Sequence, residues 1–75
     1  MINKELKENR FYGFFYNYAV MREIARHEKT LESNIYLKYG KRYSHVVRNG
    51  ILNDIDPKEI AKEIISLEET SQQIL

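Results

Sequence analysis

RFYGFFYNY, residues 10–18, decides how this chain is read, because the stretch fits two secondary structures. Six of its nine residues are aromatic: Phe11, Tyr12, Phe14, Phe15, Tyr16 and Tyr18. At a period of two, Tyr12, Phe14, Tyr16, Tyr18 and Val20 alternate like one face of a strand. At the helical period, Phe11, Phe14, Phe15, Tyr18, Met21 and Ala25 share a face, with Leu6 and Ile24 beside it. The flanking sequence chooses between them. No proline and one glycine occur between Asn3 and Lys29, so a helix is predicted over residues 4–29. On that helix Phe11, Phe14, Phe15 and Tyr18 are expected to be core, because a chain with no Trp must find buried area elsewhere and burying one Phe contributes about 1.5–3 kcal/mol. Tyr12 and Tyr16, one turn apart, fall on a different side. They are the expected partner-binding residues, since a Tyr hydroxyl needs a polar neighbour and Tyr is enriched at interfaces.

The stretch can also be laid against the aromatic octamer with which RRM domains contact RNA: Arg10, Tyr12, Gly13 and Phe14 fit, whereas Phe11 and Asn17 do not. That octamer lies on an inner strand preceded by a strand and a helix. Nine upstream residues cannot supply them.

The clearest helix start lies at IDPKEI, residues 55–60. Asp56 is placed to cap, Pro57 suits the first helical position, and Glu59 stands where a capping box puts its acid. Ile55 and Ile60 are spaced as a hydrophobic staple around the cap. A helix over 57–71 follows, with Ile60, Ala61, Ile64 and Leu67 as its apolar stripe. Between the two outer helices, Leu31, Ile35, Tyr39, Tyr43 and Val47 recur every fourth residue, joined by Val46, which predicts a helix over 31–48. Thr30 or Ser33 is placed to cap its start, and Asn49-Gly50 to end it with a left-handed residue. Gly40 weakens this helix, and the alternative is an α+β fold with a hairpin turning around Gly40. The expected fold is thus all-α, one small three-helix domain spanning residues 1–75.

Length and charge bound the rest. A 75-residue domain buries only about 60–65% of its unfolded surface, and with no cysteine there is neither a disulfide nor a thiolate metal site to reinforce it. Self-association, as a homodimer, is therefore expected. The polar start MINKELKENR and the lack of a long apolar run predict a cytoplasmic chain with no membrane partner. Charge is nearly balanced overall at +1 but is basic through residue 50 and acidic after it. On a helix over 31–48, Lys38, Lys41, Arg42, His45 and Arg48 share one side, a row of cations suited to phosphates or to an acidic protein.

Chemistry-bearing motifs are weak. Gly40-Lys41 lacks the rest of a phosphate-binding loop. Glu23 and His27 are one turn apart, but two ligands do not make a zinc site. No catalytic residue, metal or cofactor is assigned, and an enzyme is not expected. The sequence points to a small protein-binding regulator, inhibitor or adaptor, by association of the kind that phages and other mobile elements encode. The alternative is a small helical nucleic-acid-binding protein using the basic row.

Overall fold

The computed structural model describes residues 9–74, and among them the regular secondary structure is all helix, joined by short turns. Four helices follow one another: α1 (Arg10–Glu28), α2 (Glu32–Tyr39), α3 (Ser44–Leu52) and α4 (Pro57–Ile74). The all-α expectation holds, but the described residues form four helices rather than three, and no strand borders Gly40. The predicted residues 4–8 of the first helix and Leu6 lie outside the described residues.

The count changes at Gly40–Tyr43, a turn that divides the expected second helix. A stripe repeating every fourth residue outruns the 3.6-residue turn, rotating about 40° around the axis with each repeat. One straight helix would carry Val47 far from Ile35, whereas the break resets the phase so that Ile35, Tyr39, Tyr43 and Val47 are all buried. Leu31, first in the series, is exposed and serves as the N-cap of α2 without a side-chain bond. Thr30 does not cap it either; its Oγ1 accepts from Asn34 Nδ2 at 3.0 Å.

α1 packs on all three of the other helices, most extensively on α4. It begins at Asn9, whose side chain accepts from the Phe11 N–H at 2.8 Å, and ends at Lys29, left-handed at φ 56°, with the Lys29 and Thr30 N–H groups bonding back to Arg26 and Ala25 carbonyls. At the other end of the chain, Asp56 Oδ1 accepts from the Lys58 N–H at 2.8 Å, as the sequence predicts for a cap. Ile55 and Ile60 both pack into the core, and Ile60, Ala61 and Ile64 are buried. Leu67, expected in the same stripe, is exposed.

Gly50 does not end its helix. It lies inside α3 with no positive φ, and the left-handed residue near this end is Asp54, φ 54°. Its lack of a side chain serves packing instead. A Cβ there would collide with Tyr16 Oη and approach Ile60 Cγ1 to 2.5 Å, so Gly50 is the point at which α3 meets both α1 and α4.

Candidate functional site

Along α1 the fold buries the residues that the aromatic count does not favour, and of the predicted face it takes in Met21 and Ala25 but leaves the aromatic members outside. Val20, Met21, Ile24 and Ala25 are buried together with Tyr16, which is only 5% exposed. Phe11, Phe14, Phe15 and Tyr18 face water at 72%, 64%, 63% and 37% exposure. This corrects the expectation for both groups: the four residues assigned to the core are outside, and Tyr16, expected at the surface, is inside. Tyr12 is half-buried against the core, its ring 6.2 Å from that of Tyr16.

The reason is visible further along α1. Continued by turns, Tyr16 leads to Val20 and Ile24, apolar throughout, whereas Phe11, Phe15 and Tyr18 lead to Arg22 and then Arg26. Only the first stripe can enter a core over this length of α1 without burying a cation. Tyr16 is admitted because its hydroxyl is satisfied, donating to the Ile55 carbonyl at 2.6 Å. Burial, with the nearby acidic groups of Tyr12 and Asp56, pushes its phenol up to about 12.

The exposed stripe occupies positions i, i+3, i+4 and i+7 of a regular helix, which brings its rings side by side. Phe14 and Phe15 meet edge to face at 5.6 Å and 79°. Alongside runs an open groove between α1 and the start of α4, lined by Tyr12, Phe15, Ala19, Ile55 and Pro57 together with Asp54 and Asp56. At the C-terminal end of α1 a second groove is lined by Arg22, Arg26, Lys29, Thr30 and Ser33, with Glu32.

The expected basic row is broken up. Because α2 and α3 are separate helices, Lys38 and Arg42 turn toward carboxylates of α1 and α4. Lys38 Nζ lies 3.6 Å from Glu28 and over the Tyr39 ring at 5.0 Å. Arg42 Nη1 donates to both oxygens of Glu68 at 2.8 Å, and Tyr43 Oη donates to the same carboxylate at 2.7 Å. These bonds, the Tyr43 hydroxyl first, hold the buried Glu68 carboxyl below its ordinary range against the opposing effect of burial. Tyr43 and Tyr39 are raised, by burial first and then by their bonds to Glu68 and Glu28. Lys41, His45 and Arg48 remain exposed and make no side-chain bond with a described residue. Among the described residues no three His, Asp or Glu side chains are grouped to hold a metal ion; Glu23 is instead 3.5 Å from Arg26. No described helix is long and apolar enough to cross a membrane.

Fold and surface together define a small all-α domain whose first helix turns one apolar face inward and an aromatic one to water. No protein-family model matches the chain, and neither a curated protein nor a solved structure matches it.

Proposed function

We propose that this chain is a small non-enzymatic protein-binding module, a regulator, inhibitor or adaptor, and that it docks its partner on the outward face of α1. The observation carrying this reading is the exposure of Phe11, Phe14, Phe15 and Tyr18 on one stripe. At about 200 Å² per aromatic side chain they leave roughly 450–500 Å² of aromatic surface in water. That is more than half of the roughly 800 Å² that one partner contributes to a stable interface, already grouped as anchor residues. A stripe at i, i+3, i+4 and i+7 is also the arrangement by which helices seat in the grooves of other proteins.

Self-association as a homodimer through the same residues is the competing use of this surface. In a parallel seam, Arg22 and Arg26 at the end of the stripe would face their own copies, and like charges across an interface disfavour pairing. The nucleic-acid alternative on Lys38 to Arg48 is weakened at one of its five cations, Arg42, which is paired with the buried Glu68, whereas Lys38 makes only a long contact with Glu28 that can be exchanged.

The test is affinity capture from lysate with the wild-type chain and with Phe14→Ser/Phe15→Ser. One defined protein recovered by the wild type and lost by the folded variant is expected. Equal recovery by both would remove the α1 face as the docking surface.

A further inference from the structure

Resting on the α1 face as docking surface, we infer that its partner is an amphipathic helix with one apolar half and one acidic half, the acidic half lying over Arg22, Arg26 and Lys29. The outward stripe of α1 changes character along its length. Phe11, Phe15 and Tyr18 are followed on the same face by Arg22, four residues on, and by Arg26, four more. Over these positions the stripe spans about 22 Å at 1.5 Å per residue, some four turns, which is the length of an ordinary helix lying against it.

The cations at that end are available. Arg22 and Lys29 are exposed and make no side-chain bond with a described residue. Arg26 makes one long contact, 3.5 Å to Glu23, with its own side chain mostly in solvent. An exposed pair of that kind is worth little and is readily exchanged for another carboxylate. All three line one groove beside the Thr30 and Ser33 hydroxyls, and Glu32 is the single acid there. A carboxylate-bearing helix entering this groove is met by a net charge of +2 while its other half covers the aromatics. Complementarity of this kind fixes the register of the bound helix and rejects partners of the wrong sign.

A single-stranded nucleic acid also pairs aromatic with cationic groups, but it needs them interleaved, since each stacked base brings its own phosphate. Here the aromatics occupy one half and the cations the other. Phe14 and Phe15 are also edge to face, which does not offer two parallel stacking surfaces.

The experiment measures fluorescence anisotropy of labelled synthetic helical peptides titrated with the whole chain at low salt. Two peptides carry Leu at i, i+3, i+4 and i+7 in one half and Glu on the same face of the other half, in the two possible orders. Two matched peptides carry Lys in place of Glu, and an oligothymidine is the fifth probe. One of the Glu peptides is expected to bind at least about tenfold tighter than its Lys counterpart, with the difference shrinking as salt rises. Arg22→Glu/Lys29→Glu, checked for folding by circular dichroism, is expected to reverse the preference. Equal binding of Glu and Lys peptides, or no binding of either, overturns the acidic partner, and tighter binding of the oligothymidine overturns it in favour of nucleic acid. The docking surface itself stands or falls separately, by whether Phe14→Ser/Phe15→Ser loses the captured protein. A concentration-dependent dimer that the same double variant abolishes would assign the stripe to a second copy of the chain instead.

Discussion

Gly50→Ala and Gly13→Ala are the same chemical change in two helices, and the packing around them predicts opposite signs. In a helix interior, alanine is favoured over glycine by about 0.8–1 kcal/mol. At Gly13 that gain is collected whole: the added Cβ meets only Ile51 Cδ1, at 4.0 Å, an ordinary contact. At Gly50 the Cβ collides with Tyr16 Oη and comes within 2.5 and 2.9 Å of Ile60 Cγ1 and Cδ1. Ile60 is buried, and Tyr16 is held by its bond to the Ile55 carbonyl, so neither neighbour has room to retreat. Overpacking of this kind costs about 1–3 kcal/mol, and displacing the Tyr16 hydroxyl loses a hydrogen bond worth about 1 kcal/mol. Set against the propensity gain, Gly50→Ala is expected to destabilise by about 2 kcal/mol. For a domain this size that lowers Tm by roughly 8–16 °C, while Gly13→Ala raises it by about 4–8 °C. Thermal and urea unfolding followed by circular dichroism give both numbers. A Gly50→Ala protein as stable as the wild type would refute the three-helix contact and leave Gly50 as an ordinary helical position.

The remaining predictions concern buried polar groups, a cap and the outward face. Glu68→Ala strands the buried Tyr43 hydroxyl and frees Arg42, and should cost about 2 kcal/mol in urea unfolding. Because the folded Glu68 carboxyl is held below its ordinary range, its contribution is fully present above the unfolded carboxylate pKa and is lost as pH falls through the folded value. The urea midpoint of the wild type should therefore drop in acid more steeply than that of Glu68→Gln. Tyr16 works in the other direction: with its phenol raised to about 12, its contribution is intact below about pH 10 and disappears as pH rises through about 12. Absorbance titration of Tyr16→Phe should lack one late-ionising phenol. Asp56→Ala removes the α4 cap and should destabilise by about 1 kcal/mol, measured by urea unfolding. Phe14→Ser/Phe15→Ser should leave thermal stability within about 0.5 kcal/mol of the wild type, because both rings are largely in water.

What could be read in advance was what is local. The start of α4 is specified by Asp56, Pro57, Ile55 and Ile60 within six residues, and the helix and its Asp56 cap formed as read, although Glu59 lies 3.6 Å from Lys62 instead of closing a capping box. That residues 10–28 are helical was also legible, since proline is absent and the stretch is long. Which side of α1 is buried was not. Two apolar stripes of similar strength run along it, and hydrophobicity ranks the aromatic one higher. The discriminating signal was continuation, Val20 and Ile24 against Arg22 and Arg26, rather than composition. The break at Gly40–Tyr43 was foreshadowed by the weak glycine and by a repeat of four instead of 3.6, yet its main consequence was beyond local reading. Glu68 lies 26 residues from Arg42, and only the folded arrangement shows that it withdraws that arginine from the basic row.

The opposition of the two faces of α1 has a consequence for the chain as it is made. The inward face finds its most extensive contact in α4, which begins at Pro57, 29 residues after α1 ends at Glu28. At about 5–20 residues per second, synthesis of that interval takes roughly 1.5–6 s, far longer than a helix needs to form. For those seconds α1 is apolar on both sides, and the core that hides one of them does not exist. The residues of the aromatic stripe all lie within one run of α1, so the outward face is complete in the chain before the segment that covers the inward one has been made.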